Sequence, residues 1–250
     1  MKILLTNDDG YSAPGIQALY EILCVDHDVV LVAPDRERSA VGHSITLNEP
    51  LRMYPVKLNN GCEGYAITGT PADCVKLSLF ELLKRLPDLV ISGINPGCNT
   101  GININYSGTV GAAREATLNG ILSMAVSIKQ GKTIDFHGMA RFIGRLANKV
   151  YDNKLPLGTF LNINAPDISI DKVCGIKITR QSSTNLSKEF EKRTDPKNRN
   201  YYWYGRIAPQ DSKADTDVNA LSKNYISITP IQCDITDYKT LVELEAMKLQ

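Results

Sequence analysis

The sequence predicts an α/β protein with a doubly wound, mostly parallel sheet and an extended C-terminal arm or hairpin region. Three observations predict it. Apolar Val/Ile/Leu runs of strand length alternate with helix-period segments through the first two-thirds of the chain, which is the pattern of a parallel sheet covered on both faces. Four successive runs end in Gly, Asp, Asn, Ser and Thr, the residues of turns and caps. A long polar stretch then interrupts the alternation before a last strand and helix pattern.

Taken in order, strands are predicted at 3–6 (Ile-Leu-Leu-Thr), 29–33 (Val-Val-Leu-Val-Ala), 65–68, 89–92 (Leu-Val-Ile-Ser) and 124–128, then at 160–164 and 175–179. Helices are predicted between them, at 15–23, 72–83, 110–118 and 136–150. In the last of these, Phe136, Met139, Ala140, Ile143, Leu146, Ala147 and Val150 keep one apolar face at helical spacing. Residues 181–217 are rich in Ser, Asn, Lys, Arg and Asp, and carry an aromatic island, Tyr201-Tyr202-Trp203-Tyr204. Such a stretch is long for a structureless loop in a compact domain, so a projecting arm or hairpin is expected. A strand at 225–229 and a helix at 238–247 follow. The chain thus divides into an α/β core, 1–180, and a C-terminal extension, 181–250, whose aromatic island suits a surface covered by a partner.

Composition narrows the function. The 250 residues suffice for a large core, and 43% hydrophobic with 22% charged residues is ordinary for a globular protein. Net charge is +1, from 28 basic and 27 acidic residues, so no overall field draws nucleic-acid polymers or an anionic membrane. No apolar run approaches the ~20 residues of a membrane span, and no signal-peptide pattern opens the chain; a cytoplasmic protein is expected. The six cysteines form no C-x-x-C pair, which fits free thiols in a reducing compartment. With three histidines in all, a metal here would have oxygen ligands and be hard, Mg²⁺ or Mn²⁺ in type.

Ligands of open α/β sheets bind beyond the carboxyl ends of the strands. There the first strand is followed by Asn7-Asp8-Asp9-Gly10. Asn, Asp and Gly are turn formers, which accounts for the stretch by itself. Yet two adjacent carboxylates in a crevice raise each other's pKa, and a divalent cation removes that conflict. Gly10 permits the bend that would bring both toward one ion. Ser39 and Asn95 follow later strands and add neutral oxygens, and such a set suits a Mg²⁺-like ion with positions left for phosphate. Ser107-Gly108-Thr109 would open a helix, where hydroxyls and free N–H groups suit an anion, although Ser107 could equally be a plain N-cap. Other templates fail. Gly131-Lys132-Thr133 lacks the earlier glycine of a P-loop, because Val126 holds that position. Neither G-x-G-x-x-G nor G-x-S-x-G is present. A receiver-like phosphoacceptor would want a third acid where Ser92-Gly93-Ile94-Asn95 stands. His43, alone in a loop, reads more readily as structural than as an acid or base.

The stretches ILLTNDDGYSAPGI, APDRERSAVGHSIT, YAITGTPADCVKL, PDLVISGIN and YSGTVGAAREA, in this order, with LNINAP, DTDVNA and YISITPI after them, resemble the SurE family (survival protein E) of metal-dependent 5′/3′-nucleotidases. The resemblance implies a Rossmann-like core and one divalent cation per subunit, Mg²⁺ or Mn²⁺, held by Asp8, Asp9, Ser39 and Asn95. It implies catalytic roles for Asp8, Asp9 and Asn95, and phosphate contacts from Asn95, Ser107, Gly108 and Thr109. The implied activity is hydrolysis of nucleoside 5′- and 3′-monophosphates, with short polyphosphate as a further substrate, in a homodimer or homotetramer built through the C-terminal region. Leu122 stands where the family usually has Pro, which should alter a loop and leave the chemistry alone. Asp8 could attack phosphorus or orient water; with no acid–base partner for a phosphoenzyme evident, water is favoured. A non-catalytic nucleotide or phosphate sensor and a receiver-type phosphoacceptor are the rival readings.

Overall fold

A computed structural model describes residues 1–58, 61–132, 134–183, 190–205 and 211–247. Its main sheet is built on β1 (Lys2–Thr6), β2 (Asp28–Pro34), β4 (Glu63–Ile67), β5 (Leu89–Pro96), β6 (Leu122–Ile128) and β7 (Thr159–Ala165). All of these run parallel to their neighbours, in the order β4-β2-β1-β5-β6-β7. The first crossovers carry the chain outward from β1 to β2 and β4. It then returns past β1 to β5 and builds outward on the other side. The switch point therefore lies between β1 and β5, where such sheets form a ligand crevice.

Burial follows the strand period. Ile3 and Leu5 of β1 join one apolar cluster, with Ile16 and Leu19 of α1 (Pro14–Leu23) and Ile143 and Ala147 of α4 (Phe136–Asn153). Leu4, between them, points to the other face. There it meets Val75 of α2 (Pro71–Leu77) and Ala112 and Ala116 of α3 (Gly108–Leu118). Two buried faces explain why the central strands read as unbroken apolar runs.

Antiparallel strands close the sheet at both ends. β3 (Met53–Lys57) is a mostly exposed edge strand beside β4; Pro55 and the weak apolar content hide it from a sequence reading, and an edge is where proline is tolerated. β11 (Ile226–Gln232) inserts antiparallel to β7, with the short β8 (Ile176–Ile178) on its other flank. It outruns the predicted end at 229 and includes Pro230, which lies beyond the β8 pairing, so the missing N–H breaks no ladder there. The helix expected at 72–83 is α-helical only to Leu77 and continues as a π-helical turn, Ser78–Leu82. A short helix, α5 (Asp217–Ser222), capped by Thr216, precedes β11 and carries no clear helical period of its own.

Part of the arm, 184–189 and 206–210, lies outside the described residues. Its described portion is a hairpin of β9 (Phe190–Thr194) and β10 (Asn200–Tyr204), a two-stranded sheet separate from the main one. The tight connection is held by Asp195, whose Oδ1 accepts the N–H groups of Lys197 and Arg199. Every residue of both strands is exposed, with Trp203 at 59% and Tyr204 at 70%. The aromatic island does not fold back under its own subunit. The last helix, α6 (Tyr238–Ala246), likewise buries none of its residues, leaving Tyr238, Leu241, Val242 and Leu244 exposed.

Candidate active site at the β1–β5 switch point

The acidic turn is held by its own neighbours. Asn7 Nδ2 donates to the Gly10 carbonyl at 2.9 Å, and the Gly10 N–H donates back to Asn7 Oδ1 at 3.2 Å. Gly10 sits at φ +99°, a conformation that side-chain-bearing residues rarely adopt. The loop after β2 packs onto this turn: the Arg38 N–H donates to the Asp8 carbonyl at 2.7 Å and the Tyr11 N–H to the Pro34 carbonyl at 3.0 Å.

Asp8 is buried, and Thr109 Oγ1 donates to its Oδ1 at 2.5 Å. Burial pushes the Asp8 carboxyl up, and the hydrogen bonds from Thr109 oppose that push. Asp9 is pushed up to about 7, by burial first and then by the charges of Asp8 and Glu37. Asp9 Oδ2 is a buried atom with no hydrogen-bond partner among the described residues. An unpartnered buried carboxylate oxygen beside a second carboxylate is costly by itself and fits a cation.

The neutral donors arrive from two directions. Ser39 Oγ donates its proton to Glu37 Oε1 at 2.5 Å, so its lone pairs remain for a positive partner. Asn95, at the end of β5, donates Nδ2 to the Gly97 carbonyl at 2.7 Å, which turns its amide oxygen to the role a cation would use. Asn95 lies just beyond Ser92, the partner of Thr6 at the end of β1. Among the described residues no three His, Cys, Asp or Glu side chains are grouped to hold a metal ion. A cation here would rest on two carboxylates and neutral oxygens, a hard-ion donor set.

The N-terminus of α3 faces the same carboxylates. Ser107 Oγ accepts the Val110 N–H at 3.1 Å, the capping role. A Cβ on Gly108 would stand 2.9 Å from Asp8 Cβ and 3.1 Å from its Oδ2, so only glycine admits this approach. Thr109 is tied to Asp8 through its hydroxyl rather than held free for an anion. What the helix end offers an anion is then its first N–H groups, which have no intrahelical partner.

Glu37 and Glu115 escape sequence reasoning, whereas His43 is structural, as expected. Glu37 adds a third negative charge near the pair and orients Ser39; its place inside a run of charged residues conceals this. His43 Nε2 lies 2.7 Å from Glu115 Oε2, and Lys76 Nζ lies 3.0 Å from Glu115 Oε1. This half-buried network ties the loop bearing Ser39 to α3. Glu115 is held low, at about 2, chiefly by His43, with Lys76 and Asn119 adding to it.

The family model of the survival protein SurE matches residues 3–188. A 5′-nucleotidase SurE of Desulfatibacillum aliphaticivorans is 49% identical over 251 residues, covering 100% of this chain and 99% of that protein. One of Syntrophobacter fumaroxidans is 48% identical over 242 residues, covering 96% and 97%. The crystal structure of the SurE protein from Aquifex aeolicus superposes with a TM-score of 0.86 at 40% identity, covering 99% of this chain and 100% of that one. Shared over their whole length, the fold and the sequence make this chain a member of the SurE family.

Proposed function

We propose that the chain is a metal-dependent phosphomonoesterase that hydrolyses nucleoside 5′-monophosphates to nucleoside and phosphate. Nucleoside 3′-monophosphates and short polyphosphate are further substrates in this reading. The name 5′-nucleotidase borne by the relatives supports it. The observation that carries it is the Asp8–Asp9 pair, with Asp8 buried against the glycine-opened start of α3 and the buried Oδ2 of Asp9 unpartnered among the described residues.

Asp8, Asp9, Ser39 and Asn95 would hold one divalent cation per subunit, Mg²⁺ or Mn²⁺. Such an ion neutralises charge on a phosphoryl oxygen and makes water more acidic. Asp8 is held by Thr109 as an oriented ligand, which disfavours its attack on phosphorus. Water is then the nucleophile: its oxygen forms the new P–O bond, the ester P–O bond breaks, and a proton from water ends on the departing nucleoside oxygen. The N–H groups of Ser107 and Gly108 and the amide of Asn95 serve the phosphoryl oxygens, where preorganised donors stabilise developing charge, while Thr109, placed with them at the helix start, bonds to Asp8. Asp8, Asp9 and Asn95 are the catalytic residues of this scheme.

No helix among the described residues is long and apolar enough to cross a membrane, and a cytoplasmic enzyme is proposed. Residues 1–180 carry the site residues. Residues 181–250 are proposed to assemble a homodimer or homotetramer, an assignment supported by the exposed aromatics of β10 and the uncovered face of α6.

The test is phosphate release from AMP with Mg²⁺ or Mn²⁺ and with a chelator. Release in excess over enzyme, abolished by chelation, is expected. Binding without turnover would instead make the chain a sensor. A stable aspartyl phosphate would make it a phosphoacceptor.

A further inference from the structure

Residues 95–107 connect the cation side of the site to the start of α3. Between the end of β5 and a short 3-10 helix, Gly101–Asn105, the segment is irregular, so backbone groups there need partners from elsewhere. Side chains supply them. Asn99 gives its N–H to Asn164 Oδ1 at 2.8 Å, and its carbonyl accepts from Asn162 and Asn164 at 2.8 and 3.1 Å. Those two asparagines belong to β7 and lie within the sheet. Gly101 is held differently. Its N–H donates to Asp217 Oδ2 at 2.8 Å, and its carbonyl accepts from Gln181 Nε2 at 2.8 Å.

Both of these partners stand at the base of the arm. Gln181 lies on the outgoing leg and Asp217 on the returning one. The legs are joined through Arg180, whose N–H donates to the Asp215 carbonyl at 3.0 Å and whose carbonyl accepts the Asp217 N–H at 3.1 Å. Ser182 Oγ adds a bond to Asp211 Oδ2 at 2.6 Å. Asp217 itself is 0% exposed, and its Oδ1 accepts the N–H groups of Ser182 and Val218 at 2.9 and 2.8 Å. A fully buried carboxylate is tolerated only when its oxygens are satisfied. Here three backbone N–H groups satisfy it, one from each arm leg and one from the site segment.

From this geometry we infer that Asp217 is a positioning residue for phosphate binding: with Gln181 it fixes Gly101, and so sets the placement of residues 95–107 between Asn95 and the start of α3. It touches neither the substrate nor the reacting atoms. The inference rests on the proposed nucleotidase site. It adds that the C-terminal extension shares with Asn162 and Asn164 of β7 in holding the segment that leads to the anion half of that site, whereas the turn bearing the carboxylate pair is closed by Asn7 and Gly10.

The experiment measures inorganic phosphate affinity in the presence of Mn²⁺, Mn²⁺ affinity without phosphate, and AMP turnover, in Asp217→Asn and Gln181→Leu of the full chain. Asparagine keeps the volume and one acceptor but sets an N–H₂ against one of the N–H donors. The expected result for Asp217→Asn is a loss of roughly tenfold or more in phosphate affinity and in turnover, since small displacements at a reacting centre are expensive. Mn²⁺ affinity should stay within about twofold and thermal unfolding should remain cooperative, because the carboxylate turn is held independently. Gln181→Leu should lower the same two quantities by a smaller factor. It serves in place of Asp217→Asn should that variant not fold. Phosphate affinity unchanged in a folded variant, or phosphate and Mn²⁺ affinities falling together, would overturn the assignment. A wild-type chain that binds phosphate without hydrolysing AMP would defeat the nucleotidase reading alone, because the phosphate arm of the experiment still reports on Asp217.

Discussion

Thr109 Oγ1 and Asp8 Oδ1 stand 2.5 Å apart, joining the first turn of α3 to the end of β1 across 101 residues. The hydroxyl is thus the orienting partner of a buried carboxylate. Thr109→Val keeps the branched shape and deletes the donor. Turnover should fall by the equivalent of about 2–4 kcal/mol, the range for losing one preorganised donor. Mn²⁺ affinity, measured by calorimetry without substrate, should fall severalfold as well, and Thr109→Ser should retain both. Turnover lost at unchanged metal affinity would reassign the hydroxyl to the anion.

Asp9→Asn addresses the like-charge pair. Asp9 carries the unpartnered buried oxygen and the repulsion of Asp8 and Glu37. The neutral amide should weaken cation binding and lower turnover by orders of magnitude. The cation-free protein should become more stable, by about 1 kcal/mol or more, because a buried charge conflict is removed. Denaturant melts in chelator decide it; a less stable variant would contradict the conflict.

Glu115 supplies a pH dependence with a defined sign. Its carboxyl is lowered from 4.5 to about 2 in the fold, so its stabilising contribution is complete above about pH 4.5 and is lost as pH falls toward 2. Glu115→Gln should therefore cost on the order of 2 kcal/mol at pH 7. The gap between variant and wild type should narrow steadily on acidification through that window. Urea titrations at pH 7, 4 and 3 measure it, and a gap independent of pH would assign the loss to packing.

Assembly is tested by removing residues 185–210 and bridging the ends with a short Gly/Ser linker. The deletion takes the exposed aromatic strand and leaves the tied base of the arm in place. Tyr and Trp are favoured where a partner covers a surface, and exchange of such an element between subunits is a low-cost route to symmetric oligomers. Light scattering should report a smaller species that still binds Mn²⁺. An unchanged mass would remove the arm from the interface.

What the sequence made legible was local. The apolar run at Ile3, Leu4 and Leu5 followed by Asn7-Asp8-Asp9-Gly10 announces a strand ending in a functional turn, because period and turn chemistry act between near neighbours. That the sheet is mostly parallel was readable for the same reason, from unbroken apolar strands alternating with helical segments. Partnerships made only by folding were not. Glu115 meets His43 across 72 residues, and Gly101 meets Asp217 across 116; no spacing rule connects such positions. Met53–Lys57 and Asp217–Ser222 escaped because an exposed edge strand and a six-residue helix carry too few apolar positions to display a period. Ser107 shows the remaining difficulty, since one residue type serves a cap and an anion site alike.

The reciprocal bonds between Asn7 and Gly10 have a thermodynamic consequence. The amide of Asn7 binds both backbone groups of Gly10, so the turn closes on itself without help from a ligand. The two carboxylates are consequently gathered while the chain folds, and their mutual repulsion is borne by the native state before any ion arrives. A cation bound there would meet a preformed turn and have little ordering left to impose, so less of its binding energy would be lost to reorganisation. The same arrangement makes the native state a selective host that the unfolded chain is not. Midpoint temperature should therefore climb with divalent-ion concentration according to mass action, which makes thermal stability a direct gauge of site occupancy.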